Sequence, residues 1–403
     1  MMSLSLIRPV FHSMVKETRQ LYRVLAIESS CDDSSVALLD YDENTGMANI
    51  ISHLKSTLNS SLVGGIIPTE ALLHHQQTMP LLIDRMMQIP QFNDCPLDLI
   101  AVTRGPGMVG PLSVGLNLAK GLSLGLSTSV LGVHHMLGHL LIPRMSSSDT
   151  SNQINFPFIS LLASGGHTML VLSKDVLNHE ILIDTIDIAI GDSLDKCGRE
   201  LGIKANMIAK EMEIMASQRR NKVHSVINLP NPLSMAHNKN KLSFSFASYI
   251  TSLKNQIKDT LIHGTNRRDS LLLNQIAYDI QESHFDHLIY KIKQWVQKNI
   301  HLYDTEPSQM GLQFIASGGV SSNKRLRYRL ENELKPYFKS FHYPEQNDLC
   351  TDNAVMIGWA AIELVKHFKI KEGCTIYNSL DILPLRKWDL TDLVNISRWN
   401  KQK

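Results

Sequence analysis

The sequence predicts an α/β protein built from two lobes. At 403 residues the chain is too long for one small domain. Strand-like and helix-like segments alternate along it, which is the pattern of an α/β fold. A strand–turn–strand unit that begins at Val24 returns at Phe158. This recurrence predicts that each lobe opens on a hairpin.

The composition indicates a soluble globular protein and excludes several classes. With 43% hydrophobic and 19% charged residues, disorder, collagen-like repeats and a disulfide miniprotein are excluded. No apolar run reaches the ~18 residues of a membrane span. A net charge of +2 does not by itself predict a nucleic-acid-binding protein, so any RNA site has to be a local patch. Five scattered cysteines without a C-x-x-C pair indicate a reducing compartment and no cysteine-built metal site.

Residues 1–20 differ from the rest of the chain. Arg8, Lys16 and Arg19 face one acid, Glu17, and the apolar residues of this segment share one helical face. A basic, acid-poor, serine-containing amphipathic N-terminus is typical of a mitochondrial presequence. Pro9 weakens the helix, and the alternative is a plain N-terminal extension.

Six strands are predicted, and three of them lead into turns of small and acidic residues. Apolar runs flank the first two turns, and a third strand ends in a Ser-Gly-Gly turn like that of the second. The strands are Val24–Ile27, Ser35–Leu39, Val130–Val133, Phe158–Leu162, Met169–Leu172 and Phe314–Ser317. The predicted helices are Thr69–Gln88, Leu112–Gly125, Ser193–Leu201, Leu271–Lys298 and Ala354–Phe368.

The polar stretch Ser146–Asn155 is the predicted linker between the lobes. The chain then divides into a presequence, an N-terminal lobe, a C-terminal lobe and a terminal segment. Their bounds are 1–20, 21–150, 151–345 and 346–403.

The glycine turns predict a phosphate clamp. Backbone N–H groups of Ser164–Gly166 can approach an anion closely because no Cβ intervenes. The alternative is a purely structural hairpin, and the recurrence of the turn favours binding.

A metal site is predicted from two histidines and one aspartate. His135 and His139 are spaced i, i+4 and therefore share a helix face, where two imidazoles can chelate one ion. Asp352 offers the oxygen that completes a two-histidine, one-carboxylate site. The alternative is an ordinary histidine pair, with Asp352 as a helix cap. No glutamate follows His135, which argues against a zinc protease.

Three further features have structural and functional interpretations. The loop Thr103–Pro111 leads into a helix and is expected to hold that helix against an anion or another backbone, but it is not a Walker A loop. Asp192 and Asp195 suit an N-cap and a first-turn acid, with an Asp195–Arg199 ion pair. Asn323 stands at the start of a helix, where asparagine is a favoured cap.

Together these stretches resemble the tRNA N6-adenosine threonylcarbamoyltransferases (TsaD-type) of the actin/Hsp70/sugar-kinase superfamily. The resemblance implies duplicated ribonuclease-H-like lobes, and the basic N-terminus suggests a mitochondrial member. The motifs that carry it run in family order: Val24–Asp33, Val63–Pro68, Arg104–Gly110, His134–His139, Leu161–Thr168, Asp195-Lys196, Phe244–Phe246, Ser317–Asn323 and Cys350–Asn353.

The resemblance also implies a reaction and its residues. The threonylcarbamoyl group of L-threonylcarbamoyladenylate would pass to N6 of adenosine 37 in tRNAs that read codons beginning with A, with release of AMP. His135, His139 and Asp352 would bind one divalent metal ion per subunit. Asp195 is the candidate proton acceptor. The nucleotide pocket would be lined by Leu162, Ala163, Ser164, Gly165, Gly166, Asp195 and Asn323.

The sequence departs from the family pattern at three places. Asn206-Met207-Ile208 replaces a Pro-Gly-Gly that contacts ribose, so Glu211 or Glu213 is considered as a substitute. Leu137 stands where many members have glutamate, and Ile250 replaces a family lysine.

Two other functions are alternatives to the transferase assignment. The first is an ATP-dependent small-molecule kinase of the same superfamily. The second is a non-catalytic protein of mitochondrial DNA, favoured by the basic run Lys324–Arg329. The transferase assignment predicts a mitochondrial matrix protein that forms a homodimer, binds tRNA and the adenylate, and does not enter a membrane.

Overall fold

We analysed a computed structural model, which describes residues 21–60, 65–145, 153–219, 225–233, 240–263, 270–299 and 311–402. The segment predicted as a presequence lies outside the described residues. Most of the predicted linker also lies outside them, as do Val63 and Gly64 of the second family motif.

Two β-sheets form the frame of the described part of the chain. The first sheet has seven strands and the second has five. The strands are β1 Leu21–Glu28, β2 Asp33–Asp42, β3 Ala48–Thr57, β4 Leu99–Gly105, β5 Ser129–His134, β6 Phe158–Ala163, β7 Thr168–Ser173, β8 His179–Asp184, β9 Gln313–Ser317, β10 Ser340–His342, β11 Thr375–Asn378 and β12 Trp399–Gln402.

Helices cover these sheets and connect their strands. They are α1 Pro68–Met87, α2 Pro90–Asn93, α3 Val109–Gly125, α4 His135–Leu141, α5 Ile190–Glu200, α6 Ile208–Ser217, α7 Ala247–His263, α8 Ser270–Asn299, α9 Lys324–Leu334, α10 Ala354–Glu372 and α11 Leu393–Ser397. All five helices expected from the sequence are present; α1 has the predicted length, shifted by one residue, and the other four are longer than predicted. No helix among the described residues is long and apolar enough to cross a membrane.

The strand order shows the duplication that the recurring hairpin predicts. The first sheet contains the order β3-β2-β1-β4-β5, and the second has β8-β7-β6-β9-β10. In both, the opening hairpin is antiparallel, and its first strand pairs in parallel with the fourth strand of the unit, β4 or β9. The predicted two-lobed α/β class is therefore confirmed. Because the carboxyl ends of the central strands carry the turns, polar side chains collect at one edge of each sheet.

The C-terminal segment returns to the first lobe. Strands β11 and β12 extend the first sheet beyond β5, with Asn378 paired to Val130. Helix α10 packs against α4, β1 and β2 and is buried along most of its length. Its apolar side chains share one core with those of β6 and β7 of the second lobe, such as Phe158 and Val171. This core fixes the position of α10 relative to the opening hairpins of both lobes.

The first-lobe turn is closely packed by the loop that precedes α3. Met108 donates its backbone N–H to the carbonyl oxygen of Ser30 at 2.9 Å. A Cβ at Gly107 would lie 2.6 Å from that oxygen, so a larger residue does not fit there. Of the two roles expected for the Thr103–Pro111 loop, the structure shows contact with another backbone.

Candidate active site

Three side chains from distant parts of the chain meet beside the first-lobe turn. His135 and His139 lie one turn apart on α4, and Asp352 precedes α10. The Nε2 atoms of His135 and His139 are 3.5 and 3.0 Å from Oδ1 of Asp352. One ligand atom from each residue lies within 4.8 Å of the others. The structure thus brings together all three predicted metal ligands.

Residues behind the three ligand side chains orient His135. Its Nδ1 lies 3.3 Å from Oε2 of Glu28 and 3.2 Å from Oγ of Ser30, which leaves Nε2 directed toward Asp352. Glu28 is fully buried and also accepts hydrogen bonds from the Ser30 backbone and from Thr103. A carboxylate on the far nitrogen of a histidine is the usual support of a metal ligand, because it fixes the tautomer and the ring plane.

The segment that carries Asp352 is fastened to the first lobe. Nζ of Lys55 donates to the carbonyl oxygen of Asp352 at 2.9 Å and pairs with Asp33 at 2.7 Å. Asn353, not Asp352, caps α10 by accepting a hydrogen bond from Met356 N at 2.9 Å. The alternative role of Asp352 as a helix cap is therefore wrong. Because Asn353 takes that role, the carboxylate of Asp352 is directed to the histidines.

The electrostatics of this cluster favour a cation. Burial disfavours the charged forms of Glu28 and Asp352, yet the histidines hold the pKa of both carboxyl groups below their usual range. Burial also opposes charge on His135, but Asp352 and Glu28 raise its pKa to about 9. The buried Glu28 and the half-buried Asp352 thus place two carboxylates beside the two imidazoles.

These residues fit a divalent metal ion. Two imidazole nitrogens and one carboxylate oxygen form the donor set of common two-histidine, one-carboxylate sites, which leave positions open for substrate. Nδ1 of His139 is buried and has no hydrogen-bond partner among the described residues. The cluster offers three donors on one side, so a bound ion retains free coordination positions.

The second-lobe turn exposes its backbone at Gly165 and Gly166. Ser164 Oγ accepts hydrogen bonds from the amides of Gly166 and His167, which holds the turn. Gly165 and Gly166 are exposed, and a Cβ at either would meet nothing within 4 Å. Leu162 and Ala163 are buried at the end of β6, so their side chains face the core. The backbone of this turn therefore borders open space.

His167 ends this turn close to the metal-ligand cluster. Burial is the largest cause that lowers its pKa to about 4, and the nearby His135 and His139 lower it further. His167 is therefore a neutral imidazole at the second-lobe side of the site.

Asp195 and Asn323 are mainly engaged with the protein. Asp195 Oδ1 accepts a hydrogen bond from Ala209 N at 2.8 Å, at the start of α6, and burial is the main cause that raises the pKa of this carboxyl group. Asn323 caps α9 as expected, because its Oδ1 accepts from Arg325 N and Leu326 N. Its amide nitrogen donates to Gln281 Oε1 at 2.8 Å. The side chain of Asn323 thus uses both polar atoms within the second lobe.

The structural interpretation of Asp192 needs correction. Helix α5 begins at Ile190 with Ala189 as its N-cap, so Asp192 lies inside the first turn. Asp192 pairs with Lys196 at 2.7 Å. No ion pair between Asp195 and Arg199 is present in the described residues, although Arg199 lies near enough to favour the charged form of Asp195.

A cleft of about 500 Å³ opens between α6, α8 and α9 of the second lobe. Glu213 lines it and accepts a hydrogen bond from Lys324 N at 3.0 Å, whereas Glu211 is absent from its walls. Of the two acids considered for a ribose contact, only Glu213 lines this cleft, and its second oxygen pairs with Nζ of Lys210 at 2.7 Å. The polar groups of the cleft are Lys210, Glu213, Ser217, Arg219, Tyr278, Gln281, Lys324 and Arg325.

The stretch that replaces the family Pro-Gly-Gly joins the lobes. Oδ1 of Asn206 accepts a hydrogen bond from Ser60 N at 2.9 Å, and its Nδ2 donates to the carbonyl oxygen of Leu58. Met207 is largely exposed, and Ile208 is buried at the start of α6.

Two of the four cations in the basic run Lys324–Arg329 are neutralised by ion pairs. Arg325 pairs with Glu282 at 2.8 Å, and Arg329 pairs with Asp286 and Glu333 at 2.7 Å each. Arg327 donates to the carbonyl oxygen of Ser321 at 2.7 Å. These contacts hold α9 against its surroundings, so the run is a weaker indication of a DNA-binding function than the sequence alone suggests.

Glu28, Lys55 and His167 lie at the site but were not predicted as site residues. A signal existed for Glu28, because an acidic residue at the end of an apolar strand requires a buried partner. The Lys55 contact joins residues 297 positions apart and leaves no local pattern.

Comparisons with known proteins point to one family. The family model described as TsaD, tRNA N6-adenosine threonylcarbamoyltransferase, matches residues 47–359. A mitochondrial tRNA N6-adenosine threonylcarbamoyltransferase of Schizosaccharomyces pombe is 36% identical, over 96% of this chain and 92% of the relative. A tRNA N6-adenosine threonylcarbamoyltransferase of Brucella ovis is 32% identical, over 92% of this chain and 96% of the relative.

Solved structures with a similar backbone are distant in sequence. HypF of T. kodakarensis aligns over 84% of this chain and 47% of its own, with 14% identity and a TM-score of 0.48. The activator of the 2-hydroxyisocaproyl-CoA dehydratase from Clostridium difficile aligns over 87% and 97%, with 10% identity and a TM-score of 0.46.

Proposed function

This chain belongs to the tRNA N6-adenosine threonylcarbamoyltransferase family, and from that premise we propose the substrates and residue roles of its reaction. It is an acyltransferase that acts on tRNA. We propose that it transfers the threonylcarbamoyl group of L-threonylcarbamoyladenylate to N6 of adenosine 37 in mitochondrial tRNAs that read codons beginning with A. The observation that carries this proposal is the convergence of His135, His139 and Asp352 beside the turns of both lobes.

His135, His139 and Asp352 would hold one divalent metal ion. Such an ion supplies positive charge that offsets the charge on the phosphate and carbonyl oxygens of a mixed anhydride. Glu28 and Lys55 would fix His135 and Asp352 in place, so that the donor set does not reorganise when substrate binds.

The adenylate would occupy the second lobe. Gly165 and Gly166 border open space, and the amide of Gly165 suits a phosphate or ribose oxygen, whereas the amides of Ser164 and Gly166 donate within the turn. The 500 Å³ cleft between α6 and α9 would hold the adenosine, with Glu213 as the ribose contact. Asn323 would shape this cleft by capping α9, not by using its side chain on the ligand.

Transfer requires one bond to form and one to break. The lone pair of adenosine N6 attacks the carbamoyl carbon, the bond from that carbon to the phosphate oxygen breaks, and AMP leaves. N6 loses one proton, and Asp195 is our candidate acceptor because its Oδ1 is held by Ala209 while its pKa is raised. Adenosine N6 is a weak nucleophile, so positioning by the two lobes supplies much of the rate.

Two further proposals concern location and assembly. The name of the S. pombe relative and the basic N-terminus support a mitochondrial, matrix location. Helices α1 and α3 leave large apolar side chains exposed, and we propose that this face forms a homodimer, which sedimentation tests directly. The exposed residues are Leu73, Leu81, Val109 and Leu124.

Reconstitution tests the reaction. Purified metal-loaded protein is incubated with L-threonylcarbamoyladenylate and a tRNA transcript that carries adenosine 37, and the digested nucleosides are analysed by mass spectrometry. We expect N6-threonylcarbamoyladenosine and AMP in equal amounts. A matched transcript with guanosine at position 37 should remain unmodified. Formation of AMP without modified nucleoside from the adenosine transcript would contradict the proposal.

A further inference from the structure

A second cleft, of about 390 Å³, opens beside α4. One wall is Met136, which lies between the two metal ligands of α4, and another is His167 of the second-lobe turn. The C-terminal residues Arg386, Lys387 and Trp388 close it. It shares no lining residue with the cleft proposed for the adenosine of the donor. Acyl transfer needs two substrates at one centre, and this cleft borders that centre from another direction.

The cleft is rich in unused hydrogen-bond donors. Trp388 is 5% exposed, and its Nε1 has no hydrogen-bond partner among the described residues. A buried N–H without a partner is costly, which indicates that an acceptor binds there. Arg386 and Lys387 are exposed, and neither forms an ion pair within the described part of the chain. A ligand of this cleft therefore carries acceptor atoms and negative charge.

The acidic residues of the cleft are already engaged. Asp389 accepts hydrogen bonds from the backbone and hydroxyl of Thr391, and Asp184 accepts from Thr185 N at 2.8 Å. These bonds engage both carboxylates with donors of the chain itself. Arg386 and Lys387 remain available for an anion.

The backbone that carries these donors is fixed before any ligand binds. Leu385 N donates to the carbonyl oxygen of Arg104 at 2.8 Å, and Gly107 N donates to that of Arg386 at 3.4 Å. His134 Nε2 lies 3.0 Å from the carbonyl oxygen of Trp388, and the two rings are 4.9 Å apart. These contacts tie residues 385–388 to the loop before α3 and to the strand that leads into α4. Preorganised donors bind an anion without paying for loop ordering.

We propose that this cleft receives the RNA phosphodiester backbone beside the adenosine that is modified, with Arg386, Lys387 and the Nε1 of Trp388 as the contacts. The inference rests on the proposed function, because tRNA is the anionic co-substrate of that reaction. Phosphate contacts position a nucleic acid without reading its bases, so these residues set the register of the anticodon loop.

The test is a binding titration with the full-length, metal-loaded protein. Fluorescence anisotropy measures the Kd of an unmodified tRNA transcript, and calorimetry measures the Kd of AMP, for the wild type, Arg386→Glu and Trp388→Phe. Lys335→Glu is the control, since Lys335 is exposed and lines neither cleft. Arg386 is exposed, so its replacement is compatible with folding even if Trp388→Phe is not.

We expect Arg386→Glu to raise the Kd of tRNA about tenfold and to reduce the salt dependence by about one unit of log–log slope. The Kd of AMP and the metal content should stay within twofold, and Lys335→Glu should match the wild type. Unchanged tRNA binding in Arg386→Glu would overturn the proposal. Loss of AMP binding with tRNA binding retained would also overturn it and would assign the cleft to the adenylate phosphate. Because binding needs no turnover, absence of tRNA modification by the wild type contradicts the proposed function separately.

Discussion

At the scale of single residues, function depends on three side chains that the fold brings together. His135, His139 and Asp352 are proposed as ligands; both histidines are buried, and Asp352 is the most exposed of the three, so its removal should spare the fold best. Alanine at any of the three should abolish metal binding and reduce transfer by more than about 100-fold, beyond the 10–100-fold typical of outer-shell residues. Metal content by elemental analysis and transfer by nucleoside mass spectrometry provide the measurements.

The control for these variants is Asp348→Ala, an exposed carboxylate on the same segment. It should retain metal and activity. Full metal content in all three ligand variants would refute the ligand assignment.

A substitution at Gly165 tests whether the second-lobe turn binds a ligand or is only structural. Its φ is not in the left-handed region, and a Cβ there meets open space, so Gly165→Ala should leave the free energy of unfolding nearly unchanged. If the adenylate fills that space, its Kd should rise at least tenfold. Calorimetry with a nonhydrolysable adenylate analogue measures the affinity.

The matched control is Gly373→Ala at the end of α10, where φ is +61°. It should cost about 1 kcal/mol of stability without changing affinity. An unchanged Kd in folded Gly165→Ala would show that the turn is only structural.

At the scale of elements, α10 positions a ligand by means of its cap. Asn353 accepts from Met356 N and donates to the carbonyl oxygen of Thr351 at 2.7 Å, next to Asp352. Asn353→Ala should therefore cost about 1 kcal/mol of stability and also weaken metal binding several-fold. Urea denaturation and a metal titration measure the two effects. A loss of stability with unchanged metal affinity would show that the cap does not position Asp352.

Helix α8 makes the second lobe sensitive to acid. His284 and His287 are buried, and burial is the main cause that lowers their pKa to about 4 and about 3. An unfolded histidine titrates near ~6.5, so the unfolded chain binds more protons below that pH. The stability contributed by the neutral rings is complete above pH ~6.5 and is lost as the pH falls toward 4.

The variant His284→Gln isolates this effect. Its free energy of unfolding relative to the wild type, measured in urea, should become more favourable by about 1–2 kcal/mol from pH 7.5 to pH 5. An identical difference at both pH values would contradict a neutral buried His284.

At the scale of the whole molecule, the sequence predicts what is local. The opening hairpins and α10 carry strong apolar patterns, and α4 places two histidines on one face. Strands β11 and β12 were not predicted, because they are short and polar and form only by extending the first sheet. Trp388 likewise has no local signal, since it meets His134 across 254 positions.

The N-terminal segment yields a prediction for the whole protein in the cell. A fusion of residues 1–20 to a fluorescent reporter should reach the mitochondrial matrix, because import selects a basic amphipathic helix. Reversing the charges of Arg8, Lys16 and Arg19 should leave the reporter in the cytosol. Matrix delivery that survives this reversal would show that the segment is a plain extension.

The central claim is that this chain modifies tRNA through the His135–His139–Asp352 centre. Mass spectrometry of nucleosides from mitochondrial tRNA tests it most directly, in cells that lack the protein and are complemented with the wild type or with Asp352→Ala. We predict that N6-threonylcarbamoyladenosine disappears without the protein, returns with the wild type and stays absent with Asp352→Ala. Unchanged levels of the modified nucleoside in cells without the protein, or full restoration by Asp352→Ala, would contradict the claim.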